Sequence, residues 1–116
     1  VPISNASWDG SASRFTPEEW HRSCLIHLHT GAPDSKDQCK LPVREPGGAL
    51  NRSAVHAAAA ALAGARGGVD APPAQKAAAA RALVRLYGEL DELAPPSVSK
   101  LANLQANRAI RRAAGR

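Results

Sequence analysis

The sequence predicts a mainly α fold: a small bundle of about four helices with an extended N-terminal arm and a Pro/Gly-rich connector. Three observations predict it. Apolar residues recur at three- and four-residue steps over long stretches. Helix start and stop signals punctuate the chain four times. No segment shows the period-two alternation of a half-buried strand, although Leu41-Pro42-Val43 suits a short extended edge.

Residues 1–14 form the arm, rich in Ser, Gly and Asn. Trp8 is its exception, because a large indole in a polar segment docks on something, either the domain's own surface or a partner. Residues 15–94 form the helical core domain. Thr16-Pro17-Glu18-Glu19 opens the first helix with a capping box and a proline at the first helical position. Trp20, Cys24 and either His27 or Leu28 then share one face, and Thr30-Gly31 ends the helix. A polar surface loop follows from Thr30 to Lys40.

The connector is Leu41-Pro42-Val43-Arg44-Glu45-Pro46-Gly47-Gly48-Ala49-Leu50-Asn51. Its two prolines hold Val43-Arg44-Glu45 extended, and its two glycines allow a sharp turn. Asn51 or Ser53 can cap a second helix over about 52–64, with Val55, Ala58, Ala59 and Leu62 on its apolar face. Gly64, Gly67 and Gly68 end that helix. They read as termination rather than as a phosphate-binding loop, since no lysine follows them in the required order. A third helix runs from about 72 to 93 through Ala79, Leu83, Leu86, Tyr87, Leu90 and Leu93, and Pro95-Pro96 stops it. Residues 95–116 form a basic C-terminal helix or tail that starts at Ser97, with Val98, Leu101 and Leu104 able to pack.

Composition limits the core. Of the 116 residues, 25 are Ala and only 21 are Leu, Ile, Val or Phe, so most of the apolar content buries little area per residue. Alanine supplies helix propensity and close helix approach instead. Low intrinsic stability, aided by a partner or a homo-oligomer, is the expectation. No apolar run reaches membrane-spanning length and no basic segment leads into an apolar one, so neither a membrane partner nor a secretion signal is expected.

The net charge of +5 is carried by residues 95–116, which hold Lys100, Arg108, Arg111, Arg112 and Arg116 and no acid. The four arginines form one stripe if the helix continues. Such a stripe suits DNA phosphates, an acidic protein surface or solvent, and no aromatic residues interleave with it for base stacking.

Cys24, His27, His29 and Cys39 have the ligand types of a zinc site but not the spacing of a finger. A zinc-stabilised adaptor is therefore a third reading, behind ordinary core and surface roles for these residues. A Cys24–Cys39 disulfide would need an oxidising setting. Pairing of either cysteine with His56 as a catalytic dyad lacks any local nucleophile signature. No catalytic residue and no cofactor are expected. Arg44 and Glu45, held between prolines, are candidates for protein docking together with Trp8. The alternative for Arg44 is hydrogen bonding to loop carbonyls.

Several stretches carry a resemblance: Trp8-Asp9-Gly10-Ser11-Ala12-Ser13-Arg14-Phe15-Thr16, Glu19-Trp20-His21-Arg22-Ser23-Cys24-Leu25, the connector with Val55-His56-Ala57-Ala58-Ala59, then residues 63–69 and 80–87. Together they resemble a domain of actinobacterial phages and prophages. That domain accompanies tailed-phage capsid maturation (prohead) proteases and related head-assembly proteins, outside the proteolytic core. The resemblance covers about residues 8–90 and departs at Cys39, where relatives often carry an aromatic residue. It implies a non-enzymatic virion or head-assembly protein that docks on capsid proteins. The location would be the phage head, or the host cytoplasm during assembly. The basic C-terminal segment lies outside the resemblance and would face packaged DNA or an acidic partner surface. The alternative is a free-standing, sequence-nonspecific DNA-binding protein.

Overall fold

The computed structural model describes residues 2–28, 39–64 and 67–103. In chain order these residues form β1 (Ile3–Ser4), a single 3-10 turn (Ala12–Arg14), α1 (Pro17–Ser23), β2 (Cys24–His27), β3 (Cys39–Pro42), β4 (Leu50–Asn51), α2 (Arg52–Leu62) and α3 (Pro73–Glu89). Residues 96–103 are helical again. The fold is mixed α/β, which corrects the mainly α bundle expected from the sequence. Two two-stranded sheets accompany the helices: β1 pairs with β4 in parallel, and β2 pairs with β3 antiparallel.

The first helix is where the expectation fails, and the reason is physical. Its start is as expected: the Thr16 side chain accepts from the Glu19 amide, and Glu19 reaches back to the Thr16 amide. It ends at Ser23, however, because Cys24 turns extended with φ −85° and ψ 147°. On a continued helix, Cys24 and Ile26 would point about 200° apart. As a strand, β2 buries both, and Ile26 is only 1% exposed. Its partner β3 supplies the ladder, with Cys24 opposite Pro42, Ile26 opposite Lys40 and His27 opposite Cys39. The Val43 amide also donates to the Ser23 carbonyl at 2.9 Å, which occupies one of the helix's last carbonyls.

The connector is a tight reversal. The Glu45 amide donates to Ala49 at 2.8 Å and the Gly48 amide to Glu45 at 2.8 Å, with Gly48 at φ +103°. Asn51 is fully buried, and each end of its amide has a partner. Its Oδ1 accepts from the Ala54 amide at 2.9 Å and so caps α2, while its Nδ2 donates to the Ala6 carbonyl at 3.2 Å.

The main core lies where the β2–β3 hairpin packs on the α2–α3 pair. Ile26, Leu41 and Val43 meet Val55, Ala58 and Ala59 of α2 and Ala79, Ala80, Leu83, Leu86 and Tyr87 of α3. A second, smaller cluster joins Phe15, Trp20, Cys24 and Cys39, with Trp8 and Ala12 packed against it.

One further helix boundary differs from the expectation. Helix α3 stops at Glu89, because Asp91 takes a left-handed conformation (φ +57°). The Glu92 amide then donates to Tyr87 and the Asp91 amide to Gly88. This is the paired closure of a Schellman motif. Leu93 lies beyond it and is 95% exposed rather than in the core. Val98 packs as expected: it is 1% exposed, and with Ala102 it joins the main cluster, with Leu101 against it.

Candidate functional site

The arm folds back onto the domain. Trp8 lies against Phe15 with ring centroids 6.3 Å apart, and Phe15 meets Trp20 edge-on at 5.0 Å. The Arg14 guanidinium sits 5.7 Å from the Trp8 ring and 5.5 Å from the Phe15 ring, and pairs with Glu45 at 3.1 Å. Arg14 also donates to the Asp9 carbonyl. Gly10 fits beneath the indole: a Cβ there would stand 3.0 Å from the Trp8 ring nitrogen.

Between this arm and α2 lies an open groove of about 950 Å³. Trp8, Asp9 and Ser11 form one wall, and Ser53, Ala57, Ala60 and Ala61 form the floor. The floor is made of small side chains because α2 turns Val55, Ala58 and Ala59 inward, which leaves Ala57 and Ala60 outside.

Arg44 and Glu45 are both engaged within the domain. The Arg44 amide donates to Ser23 Oγ at 3.1 Å, Ser23 Oγ donates to the Arg44 carbonyl at 2.8 Å, and the Arg44 guanidinium reaches the Gly48 carbonyl at 3.4 Å. Glu45 holds Arg14. Lys100 is exposed on the helical residues 96–103. Arg108, Arg111, Arg112 and Arg116 lie outside the described residues, as does His29.

Of the four residues weighed as zinc ligands, two come together among the described residues. His27 and Cys39 meet, but their third partner is His21 rather than Cys24. One donor atom from each of His21, His27 and Cys39 lies within 4.8 Å of the others. The two imidazoles stack with centroids 4.1 Å apart, and Cys39 Sγ is 3.9 Å from His21 Nδ1. Cys24 belongs to the aromatic cluster, where burial, and secondarily the neighbouring Cys39, push its thiol up. Burial also raises the Cys39 thiol. Both cysteines are free thiols, and burial disfavours the thiolate form of each. His21 could not be picked out from spacing, because its approach to His27 needs the helix to stop at Ser23.

A polar cluster joins α2 to the end of α3. Arg52 donates to the Leu90 carbonyl at 3.1 Å and pairs with Glu92, and its Nε donates to Asn5 at 2.8 Å. His56 Nε2 lies 2.8 Å from Glu92, and its ring stacks on Tyr87 at 5.7 Å. His56 is thus engaged with Glu92 and Tyr87. The bond from His56, and then that from Arg52, hold the Glu92 carboxyl below its ordinary value. Among the described residues, no helix is long and apolar enough to cross a membrane.

No family model matches the sequence, and no curated protein or solved structure matches it.

Proposed function

We propose that this chain is a non-enzymatic docking module of a tailed-phage head. It binds capsid or head-assembly proteins through the groove between the Trp8 arm and α2, in the virion or in the host cytoplasm during assembly. The observation that carries this reading is the makeup of the groove. Its alanine floor admits a partner helix at close range, and its wall offers a half-buried indole, the kind of residue that anchors interfaces. The stretches that resemble the phage domain supply both parts: Trp8 to Ser11 on the wall, Ala57 on the floor and Gly68 at the edge. Glu45 serves the surface indirectly, since it holds Arg14 and Arg14 covers Trp8.

The test is association of the purified full chain with the capsid and head-assembly proteins encoded beside it, repeated with Ala60→Glu. Ala60 is exposed on α2, so the variant fills the groove without touching the core. Association that disappears in Ala60→Glu while helicity is retained is the expected result. Binding that is unchanged in the variant, or no binding to any head protein by the native chain, would sink the reading.

A second reading, DNA contact by the basic segment, is favoured by the concentration of charge in residues 95–116. Duplex binding that falls steeply with salt, and falls again when Arg108, Arg111, Arg112 and Arg116 become Gln, supports it. Such binding without any head-protein partner would favour a free-standing DNA-binding protein.

A further inference from the structure

We infer that His21, His27 and Cys39 form a binding site for a borderline-soft divalent cation, with zinc the physiological occupant. The inference does not depend on the docking surface, which lies on other residues.

The site arises from the early end of α1. Because the helix stops at Ser23, the His21 carbonyl is one of the last four and cannot count on an intrahelical donor. Strand β2 then carries the chain back, so that His27 Nε2 lies 2.8 Å from that carbonyl. A carbonyl oxygen only accepts, so Nε2 carries the proton. A ring nitrogen tied to a backbone carbonyl is the usual way a protein orients a metal-binding histidine. The hairpin register places Cys39 directly opposite His27.

The edge between His21 and Cys39 is close to what the ion needs. Zinc bonds of about 2.3 Å to sulfur and 2.0–2.1 Å to nitrogen put tetrahedral N and S ligands about 3.5 Å apart. The His21 Nδ1 to Cys39 Sγ separation is 3.9 Å, so that edge closes by a few tenths of an ångström. The stacked imidazoles bring a nitrogen of His27 within 4.8 Å of the other two donors. Two imidazoles and one thiolate match zinc, cobalt(II) and copper(II) better than hard cations such as magnesium or calcium. Among the described residues three protein donors converge, and one of them, His27, is exposed.

The experiment is titration of the reduced full chain with cobalt(II), followed by displacement with zinc. One equivalent should give the intense visible bands of four-coordinate cobalt and a sulfur-to-cobalt charge-transfer band, and one equivalent of zinc should erase both. Cys39→Ser should remove the charge-transfer band and weaken zinc binding by more than about 100-fold, beyond the loss typical of a merely orienting partner. His21→Ala should weaken binding comparably. Cys24→Ser should keep both spectrum and stoichiometry, and circular dichroism of each variant separates lost binding from lost fold. A native chain that is folded but gives no four-coordinate spectrum would overturn the site. So would a charge-transfer band that survives Cys39→Ser and disappears in Cys24→Ser.

Discussion

Arg14 reaches across 31 residues of chain to Glu45, with Nη2 3.1 Å from Oε1, and the same guanidinium covers the rings of Trp8 and Phe15. One side chain thus fastens both the arm and the connector. The pair is partly exposed, so Glu45→Gln should cost less than about 1 kcal/mol. Arg14→Ala also uncovers two rings and should cost about 1–2 kcal/mol. Urea denaturation checks the magnitudes. Trp8 emission should shift to the red in Arg14→Ala and stay nearly unchanged in Glu45→Gln. Equal shifts would mean that the ion pair, rather than the stacking, holds the arm.

Asn51 has both ends of its buried amide engaged, one capping α2 and one holding the arm at Ala6. Removal of both bonds in Asn51→Ala should cost about 2 kcal/mol, at the upper end for a cap. Asn51→Ser keeps an acceptor for the Ala54 amide and should lose about half as much. Thermal melts of the two variants give the comparison. If Ser were as damaging as Ala, the arm bond rather than the cap would be the larger contribution.

Asp91 occupies the left-handed position of the α3 Schellman motif, which glycine fills without steric cost. Its carboxylate also stands at the negative end of the helix dipole. Both effects act in the same direction, so Asp91→Gly should stabilise the fold by about 1 kcal/mol. A higher urea midpoint at unchanged slope is the expected readout. A lower midpoint would show that the Asp91 side chain makes a favourable contact at the helix end.

The parts of this fold that were legible in the sequence are those set by neighbours in the chain. The Thr16–Glu19 box, the Asn51 cap and the inward faces of α2 and α3 each depend on residues within a few positions. Strand β2 was not legible, because Trp20, Cys24 and Leu28 also satisfy helical spacing. What decides the matter is the pairing of β2 with β3, a segment 12 or more residues away, together with the Val43 bond to Ser23. His21 was missed for the same reason. Its place beside His27 and Cys39 exists only once the chain has reversed at Ser23. Leu93 failed in the opposite direction: its spacing fits the α3 face, but the left-handed turn at Asp91 takes it out of register with the core.

Glu92 provides a pH test of the contact between α2 and the end of α3. Its carboxyl is held below the ordinary value of 4.5, first by the bond from His56 and then by that from Arg52. The folded protein therefore binds a proton at this site less readily than the unfolded chain does. The stabilisation is fully present above the unfolded value, and it is lost as pH falls through the folded one. Glu92→Gln keeps an oxygen acceptor but cannot titrate, so its stability should lie below that of the native chain at pH 7 and converge with it on acidification. Urea midpoints of both proteins from pH 7 down to about 3 read the difference directly, and other carboxylates cancel between them. A gap between the two curves that stays constant with pH would show that Glu92 acts through packing alone, with no coupling of its charge to His56 and Arg52.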